Sequence, residues 1–123
     1  MTPETIHSPI VFQIQERLDS NGALLFQQKI AQLACQPNSL WVIDMAQVNF
    51  IDSSGLFALV SGLNTARQKG CYFVICNLKE TIRLIFEITQ LDRVFEIFET
   101  YEAAIANFRF DTISNDRVEL VAV

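Results

Sequence analysis

Hydrophobic and polar positions change period repeatedly along the chain, and each change marks an element. Ile10-Val11-Phe12-Gln13-Ile14-Gln15 is β-branched and partly alternating, the signature of a strand. Asp19-Ser20-Asn21-Gly22 follows, a cluster of turn and N-cap residue types. Phe26, Ile30, Leu33 and Ala34 then recur at the spacing of one helical face, until Gln36-Pro37-Asn38-Ser39 breaks the pattern. Leu40-Trp41-Val42-Ile43-Asp44-Met45 is almost continuously apolar, as in a strand covered on both faces. A second helix is predicted from near Ser54 towards Lys69. Its stripe is Leu56, Leu59, Val60, Leu63 and Ala66, and Gly70 supplies the stop. Cys71-Tyr72-Phe73-Val74-Ile75-Cys76 is another buried-type strand. Asn77 followed by Glu80 resembles a capping box opening a third helix with Ile82, Ile85, Phe86 and Thr89 on one face. Val94-Phe95-Glu96-Ile97-Phe98 reads as a short strand, and Tyr101, Ala104, Ile105 and Phe108 as a last helix.

Strands and helices therefore alternate, which predicts an α/β fold whose strands pair in parallel through right-handed crossovers. Residues 1–9 form an N-terminal arm with room for a short strand, residues 10–108 the domain and residues 109–123 a tail. In that tail Val118, Leu120 and Ala122 alternate weakly, which suits an added edge strand or a mobile extension. No internal repeat or low-complexity linker stands out.

At 123 residues and 50% hydrophobic content the chain is sized for one domain with its own core. Nine Lys and Arg against fourteen Asp and Glu leave a net charge of −5, without the basic stripe that a general nucleic-acid binder needs. The same balance disfavours anionic lipid. No apolar run approaches the ~18 residues of a membrane span, and MTPETIHSPI has neither the basic nor the apolar region of an export signal. A cytoplasmic location is expected. Cys35, Cys71 and Cys76 show no CxxC spacing and read as small buried hydrophobes. The single histidine, His7, precedes every periodic segment, which argues against a histidine-dependent triad or metal site. No metal and no cofactor are expected, and an enzyme is the least favoured class.

Candidate chemistry concentrates in Phe50-Ile51-Asp52-Ser53-Ser54-Gly55-Leu56, which joins a strand to the second helix. Asp52 and Ser53 both suit an N-cap, because their oxygens can accept an unpaired amide of the first turn. Ser54 then falls in that turn beside Gly55, whose missing side chain leaves the hydroxyl accessible. Capping alone accounts for Asp52 and one serine. The segment lacks the GxSxG of a nucleophile elbow, and the chain lacks GxxxxGK[ST], so acyl transfer and nucleotide hydrolysis miss their parts. Asp19 and Asp44 have weaker claims, and Asp44, in an apolar run, needs partners or solvent. Phe57, Leu84 and Ile88 lie off their helices' main stripes. They pack on a second side or, if exposed, form a docking patch beside Ser54.

Over residues 10–108 the chain resembles the STAS domain, and more narrowly the bacterial anti-sigma-factor antagonists. The resemblance rests on Leu18-Asp19, Val42-Ile43-Asp44-Met45 and above all Val48-Asn49-Phe50-Ile51-Asp52-Ser53-Ser54-Gly55-Leu56. Lys69-Gly70, Asn77-Leu78-Lys79-Glu80-Thr81-Ile82-Arg83 and Thr89-Gln90-Leu91-Asp92-Arg93-Val94-Phe95 extend it. It implies a single STAS-like domain, a mixed sheet of four to five strands with a layer of four helices. It also implies a switch protein without catalytic activity. Ser54 would be phosphorylated by a serine kinase that doubles as the anti-sigma factor, the unphosphorylated form would bind that kinase, and a PP2C-type phosphatase would restore it. Asp19, Asp52, Ser53, Gly55 and Phe57 would support the site or touch the partner. The alternative implied is a STAS scaffold component of a larger sensory assembly. This chain departs from the family in carrying Glu16-Arg17 where Gly and Glu are frequent, and in a longer tail. The physics of the position agrees with a switch: phosphate adds about 1.5–2 negative charges, which a helix N-terminus tolerates without melting.

Overall fold

The computed structural model describes residues 9–33, 37–108 and 119–123. Strands β1 (Ile10–Gln13), β3 (Leu40–Asp44), β5 (Tyr72–Cys76), β6 (Glu96–Phe98) and β7 (Glu119–Ala122) form one sheet in the order β6-β5-β3-β1-β7. Two short strands, β2 (Arg17–Leu18) and β4 (Phe50–Ile51), make a separate ladder. The helices are α1 (Ser20–Gln32), α2 (Ser53–Gln68), α3 (Glu80–Ile88) and α4 (Tyr101–Ala106). Every ladder among the described residues is parallel, as the alternation of strands and helices predicts, where the family resemblance implies a mixed sheet.

Chain order and handedness explain the layers. From β1 to β3, β5 and β6 the chain steps across the sheet in one direction, so right-handed crossovers put α1, α2 and α3 on one face. The return from β6 to β7 runs the opposite way, which puts α4 on the other face. Burial agrees. Phe12, Trp41, Ile43, Phe73 and Ile75 pack with Phe26, Leu59, Leu63, Ile82 and Phe86 in the larger core. Val11, Leu40, Val42, Val74 and Cys76 pack with Ala104 in the smaller one. β3 lies between β1 and β5 with helices on both faces, which is why its apolar run is unbroken.

Close approach of α1 and α2 to the sheet is set by aromatic rings and one glycine. Phe26 meets Phe12 edge to face at 5.7 Å, and Phe12 meets Trp41 at 5.9 Å. A Cβ on Gly62 would stand 3.0–3.1 Å from Phe26, Ile30 and Phe73, so α2 packs closely on the aromatic core there. Gly70, at φ +72, ends α2 as its position after the last lysine predicts.

Several boundaries differ from the pattern. The capping box at Asn77 does not form. α3 starts only after Lys79, without a side-chain cap bond, while Asn77 adopts φ 62 and donates from Nδ2 to Asp44 Oδ1 at 3.0 Å. At φ 62 Asn77 is in the left-handed region rather than the extended backbone of an N-cap, and its side chain is turned to the neighbouring strand end. Val94 and Phe95 precede β6 and follow a 3-10 turn at Leu91–Arg93. Residues 119–122 of the tail form an edge strand, in parallel register with β1. The arm at 1–8, His7, Cys35 and the rest of the tail at 109–118 lie outside the described residues.

Phe26→Ala should cost about 3–5 kcal/mol, the range for deleting a fully buried aromatic ring, because Phe26 is completely buried against Phe12 and Gly62. Urea unfolding followed by circular dichroism reads that loss as a lower midpoint.

Candidate functional site

The small β2–β4 ladder builds the site. Leu18 pairs with Ile51 and Arg17 with Phe50, and the Asn49 amide donates to the Glu16 carbonyl at 2.9 Å. The chain leaves these adjacent strands to enter α1 and α2, so both helices begin side by side. Each starts the same way. Asp19 Oδ1 accepts the Gly22 amide at 3.1 Å, and Asp52 Oδ1 accepts the Gly55 amide at 3.1 Å. These are N-caps that satisfy amides without a helical partner.

Both glycines are required by contact with backbone. A Cβ on Gly22 would stand 2.6 Å from the Arg17 carbonyl oxygen. On Gly55 it would overlap the Leu18 carbonyl oxygen and crowd Ile51 and Leu18 side chains at 2.8 and 2.9 Å. The two segments therefore correspond residue by residue: Leu18-Asp19-Ser20-Asn21-Gly22-Ala23-Leu24 with Ile51-Asp52-Ser53-Ser54-Gly55-Leu56-Phe57.

Between the two helix starts runs an open groove lined by Ser20, Ala23, Leu24, Gln27, Ser53, Ser54 and Phe57. Ser53 is exposed and Ser54, the second residue of α2, is half-buried. Asp52 makes the cap, so the helix start does not draw on the Ser54 hydroxyl. Leu24 and Phe57, at corresponding positions, are 55% and 64% exposed. No charged side chain is among the groove's lining residues.

Charge lies at the rim. The Gly22 amide holds the Asp19 carboxyl below its usual range; desolvation opposes it as the next largest effect, and the hydrogen bond and charge of Arg17 add to the lowering. Arg17 Nε sits 3.4 Å from Asp19 Oδ2, and its guanidinium lies 4.0 Å over the Phe50 ring.

A second polar group lies at the ends of β3 and β5. Asp44 Oδ1 accepts the Ala46 amide and the Asn77 side chain, both at 3.0 Å, which answers its need for partners. The neighbouring Cys76 thiol is pushed up to about 12, chiefly by burial and then by the Asp44 and Glu102 carboxylates. Burial also raises Tyr101. A thiol held protonated is a poor nucleophile. Among the described residues no group of three or more His, Cys, Asp or Glu is arranged to hold a metal, and no helix is long and apolar enough to cross a membrane.

The structure thus brings Ser53, Ser54 and Phe57 to one groove, with Asp52 and Gly55 supporting it. Asp19 joins through the adjacent strand. Leu84 and Ile88 are exposed on α3 but do not line this groove, and Asp44 stands apart. Ser20 and Gly22 read in the sequence only as turn and N-cap residues, not as part of the site, and Leu24 carried no signal of its own. The signal that could have found them is the repeated Asp-Ser-x-Gly after an aliphatic residue.

Comparisons with known proteins place these observations. The model of a family described as the STAS domain matches residues 1–104. The chain is 26% identical over 109 residues to a protein of Bordetella bronchiseptica named as an anti-sigma factor antagonist, BtrV, covering 89% of this chain and 94% of that one. It is 34% identical over 55 residues to the anti-sigma-B factor antagonist of Listeria monocytogenes, 45% of this chain and 48% of the relative. Among solved structures, the anti-sigma factor antagonist SpoIIAA in its unphosphorylated form aligns over 86% of this chain and 93% of its own, with TM-score 0.65 and 20% identity. A sulfate transporter family protein from Wolinella succinogenes aligns over 80% and 83%, with TM-score 0.73 and 14% identity. These structural likenesses speak to the fold, an α/β sheet with four helices.

Because the folded-state carboxyl of Asp19 is depressed, its contribution to stability is complete above the unfolded value near ~3.9 and is lost as pH falls through the lower folded value. Asn at this position keeps the cap without the charge. Chemical unfolding from pH 7 down to pH 3 should therefore show wild type losing its advantage over Asp19→Asn only at the acid end.

Proposed function

The chain belongs to the STAS domain family, and from that membership we propose that it is a phosphorylation-controlled binding module of the anti-sigma-factor-antagonist type. In its unphosphorylated state it binds a serine-kinase anti-sigma factor and so relieves the sigma factor that the kinase holds. It is a cytoplasmic regulator and performs no catalysis itself. The observation that carries the reading is the position of Ser54: half-buried, on the first turn of α2, facing the groove between two helix starts, with its hydroxyl spared from capping.

The chemistry is one phosphoryl transfer onto the chain, undone by a separate hydrolysis. Ser54 Oγ attacks the γ-phosphorus of ATP held by the kinase, the bond to the β-phosphate oxygen breaks, and ADP leaves. The hydroxyl proton goes to a base on the kinase. A PP2C-type phosphatase returns the hydroxyl by adding water to the phosphoester and releasing inorganic phosphate. The fold tolerates the product, since Ser54 lies on the first turn of α2, where the helix dipole and first-turn amides favour negative charge. The readout is therefore at the surface, in whether a partner can dock.

Support comes from three directions: the family match, relatives named anti-sigma factor antagonists, and a repeated Asp-capped helix start that holds the serine in place. The purified chain incubated with its own cell extract and ATP should carry phosphate at Ser54 by peptide mass mapping. Ser54→Ala should capture the kinase and keep it when ATP is added. Ser54→Asp should bind about tenfold or more weakly, about 1.4 kcal/mol. Equal binding by all forms, or phosphate placed elsewhere, overturns the reading.

A further inference from the structure

Ser54 faces a groove whose lining is uncharged, and that fact bears on how a phosphate there would act. Ser20, Ala23, Leu24 and Gln27 of α1 oppose Ser53, Ser54 and Phe57 of α2. The nearest carboxylates, Asp19 and Asp52, are turned to their own Gly22 and Gly55 amides, and Arg17 is turned to Asp19 and Phe50. The groove's exposed bulk is apolar, Leu24 at 55% and Phe57 at 64%, contributed by corresponding positions of the two helix starts. A groove with no charged lining residue, walled by two exposed apolar side chains, suits an uncharged apolar side chain. Well-packed interface centres are depleted of charge, and water is excluded around them.

Resting on the proposed function, we infer that Leu24 and Phe57 clasp an apolar anchor side chain of the kinase. Phosphate on Ser54 then ejects the kinase chiefly by placing a strongly hydrated charge in a contact that must be dry. Leu24 is thus a specificity-determining residue on α1, across the groove from the phosphoacceptor. The two ways a phosphate can break a complex differ in one observable. Repulsion between exposed charges fades as salt shortens the screening length from about 10 Å at 0.1 M to about 3 Å at 1 M. The cost of stripping water from a buried charge does not depend on that length.

The test uses the full chain and the kinase captured by Ser54→Ala, with binding read by fluorescence anisotropy. Leu24→Ala and Phe57→Ala should each weaken binding about tenfold, while Leu120→Ala, an exposed apolar change on β7, should leave it unchanged. Circular dichroism melts confirm that each variant is folded. Chain phosphorylated at Ser54 should stay about as weak relative to unmodified chain at ~1 M salt as at ~0.1 M. Wild-type affinity in Leu24→Ala, equal losses in Leu120→Ala, or recovery of the phosphorylated form at high salt overturns the inference. If Ser54-dependent capture persists in any of those cases, the functional reading stands without it. If no kinase is captured, both fall.

Discussion

Everything at the site depends on one backbone-to-backbone approach: the first turn of α2 rests on the Leu18 carbonyl, at a point where only a residue without Cβ can lie. Move α2 away and the cap from Asp52, the register of Leu18 with Ile51 and the groove beside α1 all change together. Gly22 makes the equivalent contact with the Arg17 carbonyl, so both helices are seated by the same device. A serine on the first turn after Gly-dependent seating is held by main chain on one side and is open on the other. In the proposed function, that geometry presents the hydroxyl to the kinase.

The larger architecture keeps such chemistry local. A central strand buried on both faces, with α1, α2 and α3 on one side and α4 on the other, forms a core that does not involve the groove-lining hydroxyls. Charge added at the helix starts meets amides and dipoles before it meets the core. On the proposed function, the fold therefore separates the cost of modification from the stability of the domain, and binding is the property that changes. At the groove, Leu24 and Phe57 are exposed while the neighbouring carboxylates of Asp19 and Asp52 are turned to their own helix caps.

Much of this was legible in the sequence because it follows from period alone. The run Leu40 to Met45 has the pattern of a doubly covered strand, and Leu40–Asp44 is one; the stripe through Leu59 and Leu63 places α2 on the core. Ser54 was legible from residue types at a helix start together with family resemblance. Two-residue strands such as Arg17–Leu18 and Phe50–Ile51 carry no period, so the ladder that aligns the two helix starts was not. Leu24 was hidden for a related reason: its neighbours Phe26 and Ile30 define the buried stripe, and an exposed leucine beside such a stripe is common on any surface. Asn77 misled because its amide answers a carboxylate distant in sequence, Asp44, which no local rule can see.

The buried thiol at the end of β5 has a practical consequence. With Cys76 pushed up to about 12 inside the smaller core, it is almost wholly un-ionised near neutrality and shielded from reagents in the native state. Alkylation at that atom can proceed only as fast as the strand opens, so the rate of maleimide uptake there is a built-in clock for how often the sheet breathes.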